Sequence, residues 1–124
     1  MSPQNSVQRD YLCQMLNQTI SRTSGTENIG NVVIAGSGTK TLGSAIGVFN
    51  LTINAGAILD PSASNYAVKV STNWTNNGTF IERNGTVEFN SGGSQSIGGS
   101  SITNFYDLSI VLVASSLIFL VPSF

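Results

Sequence analysis

Histidine is absent from this chain, and that removes whole classes of chemistry. Neither a Ser-His-Asp triad nor a His-ligated metal centre can be built without it. Cysteine occurs once, at Cys13, so an internal disulfide framework is excluded. Charged residues are only 9% of the chain and sum to a net charge of −1. Such a chain is neither a strongly solvated disordered tail nor a binder of nucleic acid through a basic patch. Lys and Glu, the usual surface of helical domains, are nearly missing. Ser, Thr, Asn and Gly take their place and together supply 55 of the 124 residues. These types favour strands and tight turns over helices. With 40% hydrophobic residues a core is still possible, and 124 residues make one small domain. The composition predicts an all-β protein with a neutral surface rich in hydroxyls and amides.

The first segment differs from the rest. Val7, Tyr11, Leu12, Met15, Leu16 and Ile20 recur at helical spacing, which predicts an amphipathic helix over Asn5 to Ser21. The opening Met-Ser-Pro-Gln-Asn carries no positive charge and no continuous apolar run follows, so a secretory signal is not expected there.

From about Ile29 the period changes. Five triplets place apolar residues two apart: Val32-Val33-Ile34, Leu51-Thr52-Ile53, Val68-Lys69-Val70, Val87-Glu88-Phe89 and Leu108-Ser109-Ile110. Each reads as a half-buried strand with two side chains inward and one outward. Their first residues are separated by 19, 17, 19 and 21 positions. A longer repeat overlies them, since Gly30–Ile34 matches Gly85–Phe89 and Gly38–Gly43 matches Gly93–Gly98 at an offset of 55. Both periods fit a short right-handed parallel β-solenoid of about five coils of ~19 residues, stacked ~4.8 Å apart. An antiparallel β-sandwich is the rival. A solenoid exposes unpaired strand edges at its ends, and the helix is expected to close the first of them. The expected organisation is a helical cap over 1–24, solenoid repeats over 25–110, and an apolar tail over 111–124. The charge-free tail fits a last coil or a strand contacting another chain. It is short for a membrane span and lacks flanking Lys or Arg. Val111, Leu112, Leu117, Ile118, Phe119 and Leu120 are its candidate self-association residues.

Candidate chemistry is sparse. Gly36-Ser37-Gly38-Thr39-Lys40-Thr41 lacks the Gly directly before Lys that a phosphate loop needs, and reads as a corner. Asp10, Glu27, Asp60, Glu82, Glu88 and Asp107 are dispersed, so neither an acid/base pair nor a calcium site is indicated. Lys69 and Glu88 should stack one coil apart as an exposed ion pair worth at most about 1 kcal/mol. No catalytic residue, cofactor or metal ligand is expected. Asn-x-Ser/Thr occurs at Asn17, Asn50, Asn73, Asn77 and Asn84, barely above the roughly three that chance supplies, and marks possible glycosylation positions. Trp74, Phe80, Phe105 and Tyr106 could stack on sugars if outward, with Trp74 and Tyr106 the candidate glycan contacts. Thr residues are frequent, but no Thr-x-Thr recurs from coil to coil as an ice-binding lattice would need. Cys13 beside the apolar stripe suggests a partly buried thiol.

The stretch from about Phe49 to Ile110 resembles repeat segments of large secreted bacterial surface proteins with parallel β-helix character. The residues that carry the resemblance are Asn50–Ala57, Asn73–Phe80, Gly85–Phe89, Gln95–Gly99 and Phe105–Leu108. It implies an extracellular or cell-surface stalk, adhesin or filament-forming segment, with no family catalytic residue to transfer. The expected function is therefore a non-catalytic structural or adhesive module. Its expected partner is a glycan or surface ligand, or further copies of itself, and not nucleic acid. A self-assembling filament subunit, a polysaccharide-active β-helix enzyme and an ice-binding protein are the alternatives.

Overall fold

The computed structural model describes residues 10–13 (backbone alone), 17–21, 28–91 and 93–111. Eleven strands follow in chain order: β1 (Asp10–Cys13), β2 (Gln18–Ile20), β3 (Asn31–Ile34), β4 (Thr39–Leu42), β5 (Ile46–Ile53), β6 (Ile58–Asp60), β7 (Val68–Asn76), β8 (Thr79–Phe80), β9 (Thr86–Phe89), β10 (Ser96–Gly98) and β11 (Asp107–Ile110). Every pairing between them is parallel, and they stack as a β-solenoid of about 4 turns. Hairpins, and with them the sandwich, are not formed among these strands.

The strands fall into three vertical stacks. Stack 1 runs β1, β3, the second half of β5, the second half of β7, then β10, with Tyr11, Val32, Leu51, Trp74 and Ile97 in register. Stack 2 runs β2, β4, β6, β8. Stack 3 joins the first halves of β5 and β7 to β9 and β11, with Ile46, Val68, Val87 and Leu108 in register. The two long strands each cross a corner. In β5 the buried positions are Ile46 and Val48, then Leu51 and Ile53, and the parity changes at a bulge between Val48 and Asn50. Changing the parity of the inward set is what lets one strand face the core on both sides of a bend.

This geometry corrects the expected coil. The five triplets do not form one stack, because the first two lie in stack 1 and the last three in stack 3. The step from Leu51 to Val68 is therefore only part of a turn. True vertical neighbours are Val32 and Leu51, then Leu51 and Trp74. Beside them, Asn31 to Asn50 is a separation of 19 and Asn50 to Asn73 one of 23. A turn thus consumes more chain than the triplet spacing suggested, and about 4 turns replace the expected five. The offset of 55 is likewise no whole number of turns. It carries the Gly30–Ile34 pattern from stack 1 to the Gly85–Phe89 pattern in stack 3. The same inward-outward-inward alternation serves any face, so the motif repeats without marking structural equivalence.

The expected capping helix is not formed at residues 10–13 or 18–20, which are strands. β1 pairs with β3, and β2 pairs with β4. Among the described residues, solenoid pairing thus already includes Asp10–Cys13 and Gln18–Ile20. The physical reason is tertiary. Each of these residues finds an in-register ladder partner one turn along, and that pairing outweighs a local 3.6-residue spacing. The remainder of the predicted helix lies outside the described residues.

The core is a column between the stacks. Val32, Leu51 and Trp74 lie above one another, as do Val48, Val70 and Phe89. All are buried, and each large apolar side chain so covered contributes roughly 1.5–3 kcal/mol.

Candidate functional site

In stack 1 the residues flanking each inward side chain point outward. Asn31, Asn50, Asn73 and Ser96 form one outward column, and Val33, Thr52, Thr75 and Gly98 form the next. The result is a small-residue grid whose rungs are ~4.8 Å apart. Its asparagines are joined vertically. Asn50 Nδ2 donates to Asn31 Oδ1 at 2.8 Å, and Ser96 Oγ donates to Asn73 Oδ1 at 2.7 Å.

A second pattern recurs at corners on every side. An asparagine Oδ1 accepts the backbone N–H of a residue one turn later: Thr39 onto Asn17 (2.8 Å), Asn73 onto Asn50 (3.1 Å), Asn84 onto Asn65 (3.0 Å) and Ser100 onto Asn77 (2.8 Å). Their sequence separations are 22, 23, 19 and 23, the length of the local turn. Corner N–H groups have no ladder partner, and these amides satisfy them while holding adjacent turns in register. All five Asn-x-Ser/Thr asparagines take part in such inter-turn bonds, Asn84 through its own N–H. Glycosylation at Asn50 would use the very Nδ2 that bonds Asn31. The columns were missed because a vertical neighbour a whole turn away leaves no local signal. The recurrence of Asn ahead of an inward apolar residue (Asn50-Leu51-Thr52, Asn73-Trp74-Thr75) was the one available sign.

The aromatic residues are arranged otherwise than as a sugar platform. Trp74 has 0% exposure, so it cannot contact a glycan from the surface. It lies edge-on to Phe80 and Phe105, with centroids 4.9 and 5.2 Å away. Its indole N–H donates to Thr103 Oγ1 at 3.1 Å, and Asn76 Nδ2 reaches the same oxygen at 2.9 Å. The bulkiest inward residue of stack 1 is thus a keystone of the core. Tyr106 is 63% exposed and remains accessible.

Among the described residues the acids do not converge. Asp60, in stack 2, is engaged by Arg83 in a two-pronged pair, Nε and Nη2 each at 2.8 Å, and it also accepts the Ser62 N–H at 2.8 Å. The Arg83 guanidinium holds this carboxyl below its ordinary value against the opposing effect of burial. It is a clasp between turns. Glu88 lies in stack 3, in register with Lys69 as expected, but the ion pair formed among the described residues is Asp60–Arg83. No group of three metal-binding acids or thiols occurs among the described residues.

Lys40 is an unexpected interior residue. It takes an inward position in stack 2 between Gln18 and Leu59 and is fully buried, with Nζ donating to Ser37 O at 2.6 Å. One rung away, Gln18 Oε1 is buried without a partner. On the outer side of the same rungs, Asn17, Thr19, Thr39 and Thr41 line a shallow polar depression of about 320 Å³.

At the far end, Val111 donates its N–H to Phe89 O at 2.7 Å and is partly exposed. Leu112, Leu117, Ile118, Phe119 and Leu120, the other expected self-association residues, lie outside the described residues, as does the Cys13 side chain. Among the described residues no helix is long and apolar enough to cross a membrane. Compared with known proteins, the chain matches no family model, no curated protein and no solved structure. What the fold and site define is a class: an all-β parallel solenoid with a grid of small polar residues on one face.

Proposed function

We propose that this chain is a non-catalytic structural or adhesive module of an extracellular or cell-surface protein, coiled in the right-handed sense usual for parallel crossovers. The observation that carries the reading is the outward grid of stack 1. Its Asn, Thr and Ser side chains sit on a backbone ladder whose turns are tied together by amide bonds. Such a surface is preorganised, so many weak contacts to a glycan or another neutral polar ligand cost little ordering entropy. Asp60 and Glu88 stand in different stacks and Asp60 is occupied by Arg83, which supports binding without turnover. Tyr106, exposed near the end of the rod, is the aromatic residue positioned to add a stacking contact.

The test is a glycan panel read for both binding and product release. Binding that is lost in a Thr52→Lys, Thr75→Lys double variant of unchanged thermal stability supports the reading. Cleavage that disappears with Asp60→Asn or Glu88→Gln overturns it in favour of an enzyme.

A second reading, assembly into filaments, has its own observation. At the last described turn the inward positions Ile97, Leu108 and Ile110 are 45, 41 and 52% exposed. A parallel rung from a second copy would cover them, and such a head-to-tail contact does not close on itself. Electron microscopy over a concentration series separates the two, since filaments support assembly and monodisperse particles oppose it.

A further inference from the structure

The chain contains two Asn-Gly pairs, Asn77-Gly78 and Asn84-Gly85. Glycine after asparagine leaves its amide nitrogen the least hindered approach to the asparagine carboxamide carbon, because no Cβ intervenes. The fold holds the two pairs differently.

Asn77-Gly78 is clamped. The Gly78 N–H donates to Asn76 Oδ1 at 2.9 Å. The Asn77 carboxamide oxygen accepts both the N–H and the hydroxyl of Ser100, at 2.8 and 3.2 Å. The space is closed as well, since a Cβ on Gly78 would run into the carbonyl oxygens of Asn54 and Ala57. Bringing the Asn77 side chain onto the Gly78 nitrogen breaks three hydrogen bonds.

Asn84-Gly85 is less confined: a Cβ on Gly85 would come within 3.1 Å of the Asn65 carbonyl oxygen, a tight approach but not the collision met at Gly78. The pair lies in the exposed connection between β8 and β9, directly after Arg83, whose φ of 48° is left-handed. The Asn84 N–H is held by Asn65 Oδ1. Among the described residues, however, neither the Asn84 carboxamide nor the Gly85 N–H has a hydrogen-bond partner.

We propose that Asn84 is a site of spontaneous covalent modification, whereas Asn77 is protected by the fold. The Gly85 nitrogen gives its proton to solvent base and bonds to Asn84 Cγ. The Cγ–Nδ2 bond breaks and ammonia leaves, producing a five-membered succinimide. Water then adds to either ring carbonyl and opens it to aspartate or isoaspartate. No electrons are transferred and water is the only co-reactant. The product places a new negative charge between Arg83 and Gly85. By the isoaspartate route it also inserts a methylene into the backbone, next to the amide that bonds Asn65. The modification thus falls on one of the four corner bonds that hold turns in register.

The experiment is to age the folded full chain at mildly alkaline pH in ¹⁸O-labelled water and map the peptides by mass spectrometry, with the same chain in denaturant as reference. The expected result is label and isoaspartate accumulating at Asn84 several-fold faster than at Asn77 in the folded protein, with similar rates at both in denaturant. Equal rates in the folded state overturn the proposal, as does an Asn84 no faster than Asn65, which precedes tyrosine. A difference that persists in denaturant also overturns it, because the cause is then local sequence and not the fold.

Discussion

The middle turns and the last described turn place the same kind of residue at the same inward positions, with opposite results. Leu51 and Trp74 are fully buried in stack 1, yet Ile97, in register on Trp74, is nearly half exposed. In stack 3 Val68 and Val87 are buried while Leu108, on Val87, is not. Burial here belongs to having a rung on both sides and not to the residue's own hydrophobicity. The last turn also lacks a described strand in stack 2. The 99–105 connection takes that place, with Phe105 against Trp74 and Phe80, Thr103 accepting from Trp74 and Asn76, and Ser101 bonding Asn76 O. It satisfies the polar groups of the turn beneath without offering a continuous ladder for another rung.

The contrast is tested most severely by matched truncations. Trp74→Ala should destabilise by about 3–5 kcal/mol in denaturant unfolding, through lost burial and a cavity that the surrounding turns cannot fill. Ile97→Ala, one rung along, should cost about 1 kcal/mol or less. Comparable losses at the two positions would mean that the end is covered in solution, as assembly requires.

Next in size is the docking of the 99–105 connection. Gly99 has a φ of +116°, and a Cβ there would collide with the backbone of Asn76. Gly99→Ala should therefore cost more than about 1 kcal/mol, since backbone strain adds to the clash. Trp74 fluorescence should report it as exposure of the indole, with the lower turns retained by circular dichroism.

The corner amides come third. Asn50→Ala removes the acceptor of the Asn73 N–H and the donor to Asn31. A loss of about 0.5–1.5 kcal/mol is expected for bonds of this kind, toward the low end where they meet solvent. Hydrogen exchange should speed up at Asn73 and leave the distant Asn84 amide unchanged.

The smallest effect is acid sensitivity. Asp60 is held below its ordinary value of 3.8 by Arg83, so its clasp stabilises the fold fully above that value. The contribution is lost as pH falls through the lowered folded value. A melting-temperature profile should decline at the acid end for the native chain and be flatter for Asp60→Asn.

Much of this was legible in the residues. The alternation in Val87-Glu88-Phe89 and its four companions identified strands, and their recurrence identified a parallel stack. The Lys69–Glu88 register followed from that recurrence. The turn length is not legible in the sequence because inward-outward-inward alternation is the same on all three faces, so triplets from two stacks form one apparent series. The N-terminal strands carry a helical signal in sequence because Tyr11, Leu12 and Ile20 satisfy a helical spacing, while their partners Val32, Val33 and Leu42 lie a full turn further along the chain. Lys40 was unreadable as a core residue, since its burial depends on the Ser37 carbonyl and on its place between Gln18 and Leu59.

Composition and two-residue alternation by themselves determined that this chain forms strands, that Gly and Asn take its corners, and that it lacks the side chains for histidine or disulfide chemistry. Those properties are local, set by backbone sterics and by which side chains prefer water. Which residues stand above one another was decided only in three dimensions. Corner geometry sets how much chain each turn consumes, and a small change in that length moves every vertical neighbour. The asparagine clamps, the buried Trp74 and the contrast between Asn77 and Asn84 all follow from that register.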